Sequence, residues 1–193
     1  MRIRHPFVGT YTTLIALTLA GGVAVAACSS PAAVPNPSGS GPAAVGSPNQ
    51  LLNSGVAALK AGNTKSATAD FNAILTTDPS NKYGDNKIAD YDLGVIDQTQ
   101  GDTNGAITNY QAAIKIDPNY TGAEYNLAIA ETASNPTGAI ALYRQVIAAS
   151  PTDVNAIYNL GLLLYESGQK TEGDTYLNQA IQMAPSLAKK LPP

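Results

Sequence analysis

Residues 154–185 read VNAIYNLGLLLYESGQKTEGDTYLNQAIQMAP, and this stretch decides the fold. Gly161 is a small residue inside an apolar run, preceded by Leu160. Gly168 interrupts the run and reads as a turn between two helices. Beyond it Gly173, Leu177 and Ala180 follow i, i+4, i+7 spacing, which keeps them on one helix face. Pro185 falls just past an apolar helix ending, where it stops further helix. The segment therefore predicts two helices joined by a tight turn. Small residues at their crossing let the two backbones approach closely.

The same order occurs three times upstream. Pro79, Pro118, Pro151 and Pro185 are spaced by 39, 33 and 34 residues. Aligned on them, the small residue of the first helix is Gly55, Gly94, Ala128 and Gly161. Before it stand Ser54, Leu93, Leu127 and Leu160. The second helix opens its contact face with Ala67, Ala106, Ala139 and Gly173. Four residues on come Phe71, Tyr110, Tyr143 and Leu177, and three further Ile74, Ala113, Val146 and Ala180. Gly62, Gly101 and Gly168 fall between the helices of repeats one, two and four. In repeat three Asn135-Pro136 replaces the glycine turn. Residues 82–86, KYGDN, are extra and lengthen either the turn or the next helix.

This pattern resembles the tetratricopeptide repeat, whose period is about 34 residues. It departs from that family at Ser54, where leucine is usual, and in lacking the aromatic residue usual at the start of each first helix. The resemblance implies an all-α, right-handed solenoid of four helical hairpins over residues 48–187. The repeats run over about 48–81, 87–120, 121–153 and 154–187, followed by a short tail, 188–193. One hairpin cannot bury its apolar face alone, so stability is expected to come from stacking. The alternative is an unrelated helical bundle, which requires no fixed period. Beyond Pro185 only a turn or two of chain remains, so the last hairpin is expected to be thinly capped.

In this family the first helices line a concave groove where ligands bind. Carried over, one groove column is Asn53, Asp92, Asn126 and Asn159, preceded in repeats two to four by Tyr91, Tyr125 and Tyr158. Three residues on lie Val56, Val95, Ile129 and Leu162. Asparagine amides both donate and accept, and can pair with the backbone of an extended peptide whatever its side chains. Tyrosines add contact area and a hydroxyl. Alternatively, the asparagines and tyrosines only satisfy the helix stack. The basic residues that grip a terminal carboxylate in some members are not matched; Leu52, Val56 and Gly122 stand at those sites.

The N-terminus is a separate matter. Arg2 and Arg4 precede an uncharged run, residues 7–27, with an apolar centre at 14–20. That order is a secretory signal, expected over 1–27. It ends in Val25-Ala26-Ala27-Cys28, which resembles the bacterial lipobox. The resemblance implies a lipidated Cys28 after cleavage, and two acyl chains anchor durably. An uncleaved anchor, or a secreted leader with a chance cysteine, is the alternative. Residues 28–47 carry no charge and are rich in Pro, Gly, Ser and Ala, which reads as a flexible tether.

Composition excludes much chemistry. Cys28 is the sole cysteine and His5 the sole histidine, so a chain cleaved before Cys28 has no histidine. Triads and ordinary zinc sites are then excluded, no metal site or cofactor is expected, and the chain does not read as an enzyme. Removing Arg2 and Arg4 leaves nine basic against fourteen acidic residues, a balance of −5, which argues against nucleic acid. Asp85, Asp90, Asp92 and Asp97 read as a solvated face. The expected function is a lipid-anchored scaffold on the outer face of a bacterial cell membrane, binding an extended peptide or protein segment. The alternatives are an assembly component using its convex face or exposed end and, further off, an envelope enzyme or solute carrier.

Overall fold

The computed structural model of the chain describes residues 46–190. The signal segment 1–27, Cys28, nearly all of the tether and residues 191–193 lie outside them. Within them are four helical hairpins: α1 (Pro48–Lys60) with α2 (Thr64–Thr77), α3 (Asn86–Gln100) with α4 (Thr103–Ile116), α5 (Thr121–Glu131) with α6 (Pro136–Ala149), and α7 (Val154–Glu166) with α8 (Lys170–Met183). A 3-10 helix, η1 (Pro185–Lys190), closes the stack. No strand occurs among the described residues. The expected all-α solenoid of four hairpins is what the chain forms.

Local chemistry sets the helix ends. Ser47 opens α1 with a reciprocal capping box, its hydroxyl accepting from the Gln50 N–H and its own N–H donating to Gln50 Oε1. Asn63, Asp102 and Asn135 each accept from the backbone N–H three residues on, at the starts of α2, α4 and α6. Gly101 ends α3 at φ +83°, a left-handed conformation that a side chain would strain.

The aligned columns are the contact surfaces. Ala67, Ala106 and Ala139 are fully buried, as are Phe71, Tyr110 and Tyr143 and the small residue Ala128. A methyl on Gly94 would meet the Tyr110 ring at 2.6 Å, so only hydrogen fits between α3 and α4. The buried residues form successive clusters along the stack rather than one centre. One joins Phe71 and Ile74 to Leu93 and Ile96, the next joins Tyr110 to Leu127, and another joins Tyr143 and Val146 to Leu160 and Leu164. Each bridges consecutive hairpins, as expected where stability is a sum of neighbour interfaces.

Three expectations are resolved or corrected. The extra residues 82–86 lengthen the turn, with only Asn86 joining α3. Asp78 organises that turn, accepting from the Ser80 hydroxyl at 3.0 Å and the Tyr83 N–H at 2.9 Å. The last hairpin is better closed than expected, because η1 folds against α8 and buries Leu187. The acidic group is not a solvated face. Asp85 and Asp90 are buried, each 7% exposed, and Asp92 and Asp97 are half-buried. Asp90 stands three and four residues before Leu93 and Gly94, which puts it on the packing side of α3. Asp97 accepts from Asn109 Nδ2 on α4 at 2.7 Å.

Candidate partner-binding groove

The first helices α1, α3, α5 and α7 make one layer of the stack and carry all of the candidate groove residues. A helix N-terminus, a tight turn and a fixed crossing place each copy at the same register, so the columns read from sequence become rows in space. Asn53 is exposed, Asp92 and Asn126 are half-buried, and Asn159 is buried at 4% exposure. Tyr91 and Tyr125 are half-buried, and Tyr158 is buried. Val56, Val95, Ile129 and Leu162 are all half-buried, and the first three pack against successive core clusters.

The amide and aromatic columns are joined to each other. Asn126 Nδ2 on α5 donates to the Tyr91 hydroxyl on α3 at 3.2 Å. One repeat later Asn159 Nδ2 on α7 donates to the Tyr125 hydroxyl on α5 at 3.0 Å. Each amide also reaches the second tyrosine of the preceding hairpin, Asn126 acting on Tyr110 and Asn159 on Tyr143. Burial raises the Tyr125 hydroxyl to about 12, so it stays protonated at any physiological pH. Burial and the nearby Asp92 carboxylate raise Tyr91 in the same way.

The rings pack in pairs. Tyr91 lies 5.9 Å from Tyr110 and 5.1 Å from Tyr120, both tilted, and Tyr125 meets Tyr143 edge-on at 5.9 Å. Lys87 Nζ sits 5.8 Å above the Tyr120 ring and 2.6 Å from Asp117. Sequence reading missed Tyr120 and Lys87, which lie outside the aligned columns. It could have found Glu124, which stands two residues before Asn126 as Asp90 stands two before Asp92.

The ladder breaks at the first interface. Leu52 stands where the later hairpins have tyrosine, and Asp92 where they have asparagine. Asp92 makes no hydrogen bond or ion pair among the described residues, and burial raises its carboxyl to about 6. No group of acidic, cysteine or histidine side chains suited to a metal occurs among the described residues. No helix among them is long and apolar enough to cross a membrane.

Hairpins with small-residue crossings and inter-hairpin asparagine–tyrosine bonds define a helical-repeat protein whose first helices carry amides, phenols and aliphatic groups. Part of the chain matches models of tetratricopeptide repeats. The family model described as TPR repeat matches residues 99–130, and that described as Tetratricopeptide repeat matches 129–188. Solved structures share the fold. MamA is 23% identical over 74% of this chain and 81% of its own, with a TM-score of 0.64. MamA 41-end from Desulfovibrio magneticus RS-1 is 17% identical over 72% and 76%, with a TM-score of 0.62. YrrB, described as a TPR protein with an unusual peptide-binding site, is 20% identical over 75% of each chain, with a TM-score of 0.63. Comparison with curated proteins gave no significant match.

Proposed function

We propose that the chain is a non-enzymatic, protein-binding scaffold whose inner face takes an extended peptide or protein segment. The observation that carries this reading is the set of half-buried Val56, Val95, Ile129 and Leu162 beside an asparagine column of which Asn53 is exposed and Asn126 half-buried. An extended segment could bury its side chains on the first and pair its backbone with the second. The peptide-binding site named for YrrB is consistent with such use of this fold.

The test is capture of crosslinked partners from intact cells. Asn126→Ala with Asn159→Ala should abolish it. Tyr91→Phe with Tyr125→Phe removes the internal bonds but keeps the amides, and should leave capture largely intact. Loss of capture in both pairs would assign the amides to the stack instead.

A second reading is favoured by the burial of Asn159 and by the exposure of Ile116 and Met183 at the ends of second helices. There the outer surface packs into an assembly and the inner face holds no ligand. Both groove pairs would then leave assembly unchanged, while Ile116→Lys and Met183→Lys would disrupt it.

We further infer that a lipid on Cys28 holds the protein at the outer face of a bacterial cytoplasmic membrane, with residues 29–47 as spacer. This rests on the sequence of residues 1–28. Cys28→Ser should release the protein from the membrane fraction and stop its labelling by a fatty acid analogue.

A further inference from the structure

Charge is unevenly divided between the two layers of helices. The first helices carry six acidic residues, Asp90, Asp92, Asp97, Glu124, Glu131 and Glu166, against Lys60 and Lys87. The second helices carry three acidic residues, Asp70, Glu172 and Asp174, against four basic ones. Of the two lysines in the acidic layer, Lys87 is held by Asp117 and Lys60 is the last residue of α1. Some of the carboxylates are also committed, Asp97 to Asn109 and Glu131 to Asn135. Asp90, Asp92 and Glu124 have no hydrogen bond or ion pair among the described residues, and Asp90 and Glu124 are more than nine-tenths buried.

Asp92 alone of these three stands in the groove column. Two departures coincide there. A tyrosine at position 52 would have accepted a bond from an asparagine at position 92, and the chain has leucine and aspartate instead. The column therefore presents a half-buried carboxylate with no donor among the described residues, a costly arrangement that an incoming cation would relieve. Asp92 lies close enough to Tyr91 and Tyr120 to act on both electrostatically. Their rings form a pair 5.1 Å apart. The protein's own Lys87 already lies over one of them, so the surroundings suit an ammonium group.

We propose that the segment bound by the inner face is cationic, and that a lysine or arginine of that segment seats on the Asp92 carboxylate beside Tyr91. This rests on the groove reading given above and adds the chemistry of the occupant. Buried Asp90 and Glu124 lie on the packing side and add to the field without touching the segment.

The test uses the full chain and three fluorescein-labelled peptides of about 12 residues, enough to extend over about 40 Å. They share one sequence except for four sites, which are all lysine, all glutamine or all glutamate. Binding is followed by anisotropy at about 0.05 M and about 0.5 M salt. The lysine peptide should bind about tenfold more tightly than the glutamine peptide, and the glutamate peptide more weakly than either. Asp92→Asn restores the residue that hairpins three and four carry and is compatible with the fold. It should cut the lysine advantage to about threefold or less, as should high salt, while glutamine-peptide binding persists. Equal binding of lysine and glutamine peptides overturns this proposal and leaves the groove reading standing. A lysine advantage that survives Asp92→Asn overturns the assignment to that carboxylate. Binding of none of the three overturns the proposal and the groove reading together.

Discussion

Asn159 on α7 donates an amide hydrogen to the hydroxyl of Tyr125 on α5, at 3.0 Å. Asn126 and Tyr91 repeat the relationship one hairpin earlier, at 3.2 Å. Such a bond links only neighbours, as the apolar clusters do in a stack without a common centre. Tyr125→Phe should cost about 0.5–1.5 kcal/mol. A double-mutant cycle with Asn159→Ala, read by urea denaturation, should show coupling of similar size. Additive losses would mean the bond contributes nothing to the stack.

The broken first rung can be rebuilt. Leu52→Tyr together with Asp92→Asn supplies both partners that hairpins two, three and four use. The pair should gain about 1 kcal/mol over the sum of the single variants, measured by the same denaturation series. An additive result would show that the first interface has a different offset.

Gly94 faces Tyr110 with no room for a methyl group. Gly94→Ala should destabilise by about 1–3 kcal/mol through overpacking, despite alanine's better helix propensity. Tyr110→Leu in the same background should recover part of the loss. A stabilised Gly94→Ala protein would contradict the tight crossing of α3 and α4.

Stability should depend on pH in a particular direction. Burial raises Asp90 and Asp92 to about 6, above their ordinary value of 3.8. Between those values the folded chain holds more protons than the unfolded one, so stability rises as pH falls from about 7.5 to about 5. Asp78 and Asp117 run the other way. The Tyr83 N–H and the Lys87 ammonium hold them low, and their contribution is lost as pH falls below their ordinary range. The urea midpoint should therefore peak near pH 5 or slightly below, and Asp90→Asn should flatten the slope above it. A midpoint that climbs steadily from pH 5 to 7.5 would contradict the burial of these carboxylates.

Much of the architecture was legible because it is written in short-range spacing. The small residues at the crossings are constraints within a single hairpin that every hairpin restates, and hairpins one, two and four add a glycine turn. Phe71, Tyr110 and Tyr143 fall in one column and are all fully buried. The candidate groove residues were legible as columns for the same reason. Their mutual bonds were not, since no spacing within a repeat says whether an asparagine reaches its own hairpin or the one before. The aspartates of α3 misled for a related reason. Counted as charges they read as surface, yet Asp90 sits at the helical offset of Leu93 and Gly94 and is carried inside with them.

The sequence by itself determined that the chain would form helix pairs, how many, and where each pair turns, because steric fit at a crossing and backbone freedom at a turn are properties of a few neighbouring residues. Only the tertiary structure decided that Asn126 and Asn159 reach the tyrosines of the preceding hairpin, and that Asp92 stands in that column without a hydrogen bond or ion pair among the described residues. Those facts depend on the offset between one hairpin and the next. That offset is set by how whole side-chain surfaces pack, and no single position in the chain encodes it.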